Sequence, residues 1–258
     1  MAYENLIVER EDNIGIITLN RPPANPINYA TLEELDEAYT ELVEDKAIKV
    51  LIITGAGEKA FSAGFDIKTF GTPDAEKTGP KAFELLSKIE KGPKPVIAAI
   101  NGYAFGGGCE LSMACHFRMM VDAERAMIGL TEITLGITPG WGGTQRLPRL
   151  VGKTRGLEML LLGERIRAPE ALGIGLITKV SQPGELMHDA KEFAKTLAKR
   201  APIAARAILD DVIRGMDTSL DEGLKIELEN LAQVGRTEDA KEGMTAFIQK
   251  REPSFKGE

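Results

Sequence analysis

An α/β fold, a sheet covered by helices and continued by a helical tail, is what this sequence predicts, and three observations predict it. Short β-rich runs alternate with glycine breaks and helical stretches from residue 6 to about residue 180. Beyond that point the strands stop and four amphipathic stretches follow one another. The chain has 258 residues, 43% of them apolar and 28% charged, which is enough to bury a sizeable core and is ordinary for a globular protein.

The elements follow in order. LIVER and IGIITLN, separated by Glu11, Asp12 and Asn13, predict a hairpin. TLEELDEAYTELVED then opens with a Thr31-x-x-Glu34 capping box and places Leu32, Leu35, Tyr39 and Leu42 on one helical face. VLIITG, PVIAAING, FRMMV and LITKV supply further strands, giving the βαβ alternation of a covered sheet. In the tail, residues 185–200 read as one helix and residues 202–214 as another with Pro202 near its first turn. Residues 219–234 form a third, opened by a Ser219-x-x-Glu222 box, and residues 239–250 a fourth. Such a tail either packs on the core or joins subunits.

Composition removes several function classes. A formal charge of −7 argues against a nucleic-acid surface, which needs clustered excess Lys and Arg. The first twenty residues carry acids and no continuous apolar stretch, and no run reaches transmembrane length, so neither secretion nor a membrane partner is expected; a reducing cytoplasm is. Cys109 and Cys115 fit neither a zinc site nor a redox pair and read as small buried apolar residues on one helix. GAGEKA at residues 55–60 matches G-x-G-x-x-A, yet the fingerprint should open into a helix and AFSAGFD brings another glycine break instead. GGG at residues 106–108 lacks the Lys-Ser/Thr of a P-loop. With only His116 and His188 available, a Ser-His-Asp or Cys-His centre and a histidine-rich metal site are both disfavoured.

Carboxylates are then the best candidates for acid–base work. In NGYAFGGGCE, at residues 101–110, an apolar strand breaks into glycines and ends in Glu110. A helix starting at such a break aims unpaired N–H groups at a ligand and carries the carboxylate a turn away. Glu110 sits among small and apolar residues, a reason for its pKa to rise, and Glu132 in AMIGLTEITLGITPGWGG is flanked in the same way. Sharing one pocket, the two would keep one proton near neutral pH, an acid and a base together. A second glycine break, FSAGFD at residues 61–66, would complete a two-donor oxyanion hole if its backbone ran beside residues 106–108.

FSAGFDIK, NGYAFGGGCELSMAC, LTEITLGITPGWGGTQRLPRLVG, APEALGIGL and AFIQKREPSF, in that order, closely resemble the enoyl-CoA hydratase/isomerase, or crotonase, superfamily. The resemblance implies a ββα spiral core, here residues 1–195, and a C-terminal helical oligomerisation region, residues 196–258, that builds trimers or hexamers of two trimers. It implies acyl-CoA thioesters as substrates, an enolate held by the N–H groups of Phe65 and Gly107, and no metal or redox cofactor, coenzyme A entering as part of the substrate. It makes Glu110 and Glu132 the pair that hydrates a trans-2-enoyl-CoA. Other reactions of the superfamily, namely double-bond isomerisation, dienoyl-CoA hydration and thioester hydrolysis, are the alternatives. A non-catalytic RNA-binding relative is a remote one, opposed by the net acidity. By the same resemblance Ala24, Ala63, Asp66, Ile67 and Lys68 line the CoA channel, and Phe247 and Lys250 complete a neighbour's site.

The chain also departs from the superfamily's pattern. The segment from Cys115 to Glu132 runs about two residues longer than the common form, with Thr131 in place of the usual proline before the acid and His116 in place of a frequent aspartate. Phe65 is bulkier than the common alanine and Trp141 puts a large ring in a glycine-rich loop. Both predict a narrowed acyl pocket and a preference for short or unusual acyl groups.

Overall fold

The computed structural model describes residues 3–258. Strands β1 (Leu6–Glu11) and β2 (Ile14–Leu19) form the predicted antiparallel hairpin, turned at Asp12 with φ of 52°. The short β3 (Pro26–Ile27) leads into α1 (Tyr29–Glu44), which buries Leu32, Leu35, Tyr39 and Leu42 as their spacing predicts. The cap is a correction: α1 starts earlier than the Thr31 box, because Asn28 Oδ1 accepts both the N–H and the hydroxyl of Thr31. Glu34 turns away and instead accepts from the Asn5 backbone and side chain, both at 2.8 Å.

Next come β4 (Val50–Gly55), β5 (Ala60–Ser62) and β6 (Gly64–Phe65), then a 3-10 turn at Ile67–Thr69 and α2 (Pro73–Glu90). No helix follows β4 directly, so GAGEKA is a turn between strands and no dinucleotide fingerprint. Strands β7 (Val96–Ile100) and β8 (Tyr103–Phe105) precede α3 (Gly107–Ala114), after which come β9 (Phe117–Val121), β10 (Met127–Gly129) and a second 3-10 turn, Glu132–Leu135. Helices α4 (Gly143–Val151) and α5 (Lys153–Leu162), strand β11 (Ile166–Arg167), helix α6 (Ala168–Gly173) and strand β12 (Lys179–Ser181) complete the mixed region.

The main sheet has the order β1-β2-β4-β7-β9-β12, parallel from β2 onward. Every residue of β4 and β7 is buried, as expected for parallel strands covered on both faces. A smaller sheet, β11-β10-β8-β5, and the two-stranded β3-β6 lie beside it. Together they bring the C-terminal end of β8, and hence the start of α3, against β5 and β6.

Helix α7 (Leu186–Ala198) lies against β2, β4, β7 and β9. The expected division after residue 195 falls inside it; packing on the sheet ends with Ala198. Helices α8 (Pro202–Met216), α9 (Leu220–Val234) and α10 (Glu238–Gln249) follow, with the Ser219 hydroxyl accepting the Glu222 N–H as its spacing predicts. Neither α8 nor α9 has a buried residue, and Val212, Met216, Leu220, Leu224 and Leu228 are exposed. No helix among the described residues is long and apolar enough to cross a membrane.

Candidate active site

The site is built where β8 ends. Gly106, with φ of 52°, makes a turn that a side chain would strain, and α3 begins at the next residue. As the first residue of the helix, Gly107 has an N–H with no carbonyl on the preceding turn to bind. Buried Arg118 closes the other end of α3, donating to the carbonyl of Cys115 at 2.6 Å and to that of Ser112 at 3.5 Å.

The two glycine breaks do meet. A β-carbon on Gly64 would lie 2.6 Å from the Gly107 nitrogen and 2.6 Å from the Phe105 carbonyl oxygen. One on Gly108 would overlap the Ser62 carbonyl oxygen. Beside this contact, the Asp66 N–H donates to the Ile27 carbonyl at 2.9 Å, so strand alternation directs the Phe65 N–H to the opposite edge. The two glycine-bearing backbones thus run in direct contact, the closeness that a two-donor oxyanion hole would require.

Glu110 lies one turn into α3 and is 1% exposed. Its Oε1 accepts from the Trp141 and Gly143 backbone N–H groups, each at 2.7 Å, which leaves Oε2 without a protein partner among the described residues. Burial pushes its pKa up to about 7; the Glu132 charge adds to the rise, while the two loop N–H groups and Arg146 oppose it. Glu132 opens the second 3-10 turn with its Oε1 beside Gly106, 3.2 Å from where a β-carbon would stand, and its Oε2 is buried with no hydrogen-bond partner. Burial raises its pKa too, against the nearby N–H groups of Glu132 and Thr131. The longer Cys115–Glu132 segment therefore still delivers this acid to the Gly106 turn.

Trp141 is 6% exposed and stands over Gly107: a β-carbon there would overlap the indole edge, 2.5 Å from Cε3 and 2.7 Å from Cη2. Phe65 is half-buried against the core. Of the residues expected to contact CoA, Ala24 and Ala63 pair through the Ala63 N–H and Ala24 carbonyl at 2.8 Å. Buried Asp66 binds Arg21 at 2.8 Å and caps the 3-10 turn by accepting the Lys68 N–H, while Ile67 is left 69% exposed at the rim. Phe247 and Lys250 lie apart, at the end of α10, with Phe247 85% exposed and no hydrogen bond from either to the glycine breaks of the same chain.

His116 is structural. It accepts the Val96 N–H at Nδ1, which leaves Nε2 to donate to the Glu90 carbonyl at 3.2 Å, and burial lowers its pKa to about 4. Both cysteines are free and buried. Motif reading missed Arg146 and Glu90, which brace the loop holding Glu110; their one sequence signal is an arginine within GWGGTQR.

The enoyl-CoA hydratase/isomerase family matches residues 9–258. A crotonyl-CoA hydratase of Syntrophomonas wolfei is 44% identical over 99% of this chain and 99% of its own. A short-chain-enoyl-CoA hydratase of Clostridium acetobutylicum is 43% identical over 97% of each. The crystal structure of an enoyl-CoA hydratase from Bacillus anthracis superposes with a TM-score of 0.95 at 42% identity, covering 99% of this chain and 100% of that one. With paired glutamates at a glycine-opened helix and a match over nearly the whole length, the chain belongs to the enoyl-CoA hydratase/isomerase family.

Proposed function

We propose that this enzyme adds water across the double bond of a short-chain trans-2-enoyl-CoA. The observation that carries the reading is the carboxyl pair at the Gly106 turn. Glu110 is tethered by one oxygen with the other unpaired, and Glu132 buries an oxygen that has no protein partner. Two acids in a desolvated site with raised pKa values suit a reaction in which one gives a proton and the other takes one.

In this mechanism the thioester oxygen accepts from the Phe65 and Gly107 N–H groups, which polarises the conjugated double bond and stabilises the enolate character that develops. A water bridges the two carboxyls. In the reacting form the pair's one proton sits on Glu132 and Glu110 is ionised, a state that the Trp141 and Gly143 N–H groups and Arg146 favour; Glu110 then takes a proton from the water as the water oxygen bonds to Cβ, and Glu132 gives its proton to Cα. One π bond is lost, a C–O and a C–H bond form, and return of the proton from Glu110 to Glu132 resets the pair. Every charge in the step is handled by side chains and backbone, so the reaction calls for no metal or redox cofactor.

Ala24, Ala63, Asp66, Ile67 and Lys68 would line the CoA channel, Ile67 forming part of its exposed apolar rim. The bulk of Trp141 over Gly107 and of Phe65 supports a short acyl group. With wild-type protein, crotonyl-CoA should lose its enoyl-thioester absorbance at a higher kcat/KM than a long-chain 2-enoyl-CoA. A clear long-chain preference overturns the short-chain assignment, and turnover of 3-enoyl-CoA alone overturns hydration.

The exposed apolar faces of α8 and α9 support assembly of copies, with Phe247 and Lys250 of one completing the site of the next. Native mass spectrometry should give three or six times the mass of the chain. A monomer at micromolar concentration with full activity would sink this.

A further inference from the structure

The loop that holds Glu110 is itself held. Trp141 gives its N–H to Glu110, and its carbonyl accepts from Arg146 Nη1 at 2.8 Å. Arg146 reaches back from the first turn of α4 over Gly142, whose φ of 107° and missing β-carbon leave room for Nη1. The rest of the guanidinium binds Glu90 Oε2, through Nε at 3.1 Å and Nη2 at 2.8 Å. Glu90 is the last residue of α2, and its carbonyl is fixed by His116. The Arg146 side chain is 10% exposed.

This use of the side chain needs a guanidinium. Its planar set of donors serves a carbonyl and a carboxylate at once, whereas a lysine ammonium is a point charge without that fork. The pair joins the ends of α2 and α4 to the 141–143 loop, which binds only one of the two Glu110 oxygens.

We propose that Arg146, braced by Glu90, is a positioning residue for Glu110: it fixes the 141–143 loop and thereby aims the free Glu110 oxygen at the reacting water. This rests on the reading that Glu110 holds that water. The charged and titratable groups around Glu110 are Glu132 from the 3-10 turn, Cys109 on its own helix and Arg146 from α4. Glu90 lies behind Arg146, and Arg118 sits at the far end of α3. Of these Arg146 opposes the rise in the Glu110 pKa, so its loss lets that pKa climb further.

The test uses full-length Arg146→Met, Arg146→Lys and Glu90→Gln. Crotonyl-CoA hydration is measured against pH, and the Glu110 carboxyl is titrated by NMR with side-chain carbon-13 glutamate, assigned with Glu110→Gln. Arg146→Met should lower kcat by about 10- to 100-fold, as misplacing a reacting group does. It should leave KM within about threefold, since the substrate-binding groups are untouched. The Glu110 titration and the matching limb of the kcat profile should both move to higher pH. Arg146→Lys restores the charge without the fork, so it should return the titration toward wild type but not kcat. Glu90→Gln should give a smaller kcat loss, and it carries the test should the arginine variants not fold. An unchanged kcat overturns the proposal, as does a loss that tracks only the folded fraction with the Glu110 titration unmoved. Failure of the wild type to hydrate any enoyl-CoA would overturn the hydratase reading, while the NMR titration would still report whether Arg146 acts on Glu110.

Discussion

Glu110→Gln should lower kcat by a factor on the order of 10³, the scale of a lost general base, while folding as well as the wild type or better. Glutamine keeps an oxygen for the Trp141 and Gly143 N–H groups, so the loop stays tethered. What it lacks is the ability to take a proton from water. The pH dependence of stability should change as well. The folded-state pKa of about 7 lies above the ordinary 4.5, so the folded protein binds this proton more tightly than the unfolded chain does. Stability from the protonated group is full below about 4.5 and is lost as pH rises through about 7. The span corresponds to about 3 kcal/mol. Denaturant melts at pH 5 and pH 8 should therefore differ less in Glu110→Gln than in the wild type. Retention of more than about a tenth of wild-type kcat would remove Glu110 from the chemistry, because general-base catalysis is seldom worth so little.

Gly107→Ala is the second large effect expected. Its β-carbon would overlap the buried indole of Trp141, which has little room to retreat at 6% exposure. Overpacking of this kind costs about 1–3 kcal/mol, and relieving it by moving α3 displaces the N–H that is to bind the thioester oxygen. Loss of one oxyanion donor lowers kcat by about 10²- to 10³-fold. Placing Gly107→Ala in a Trp141→Ala background separates the two consequences, because without the indole there is no clash and the added methyl should cost little stability beyond what Trp141→Ala alone costs. Thermal melts and steady-state kinetics on these variants make the comparison. Full activity in Gly107→Ala would show that the Gly107 N–H is not a donor to the reacting oxygen.

Much of this was legible because it depends on local pattern. The hairpin, the all-buried β4, the apolar face of α1 and the four tail helices follow from periodicity and caps. Glu110 was legible because a glycine break before an acid in an apolar run is rare and has a physical use. Helix α2 was not, because Gly79 and Pro80 interrupt its interior; burial of Thr78, Ala82, Leu85, Leu86 and Ile89 sustains it. The α1 cap was displaced because Asn28 outcompetes the Thr31 box for the same N–H group. Meeting of the FSAGFD and GGG backbones could be suggested by sequence but only shown in three dimensions. The Glu90–Arg146 pair left almost no trace, since two common charged residues 56 positions apart announce nothing.

The bare contact between the two glycine breaks also limits how this protein can change over generations. Neither Gly64, with φ of 83° and a β-carbon position only 2.6 Å from the Gly107 nitrogen, nor Gly108, pressed on Ser62, can take a side chain and keep the backbones together. Drift in a population is therefore barred from this contact and is diverted to the residues around it. Phe65, Trp141 and the exposed Ile67 reach the surroundings through side chains, so they can vary without parting the two segments. If the proposed oxyanion hole is right, descendants of this sequence can acquire new acyl preferences far more readily than a new way of holding the carbonyl.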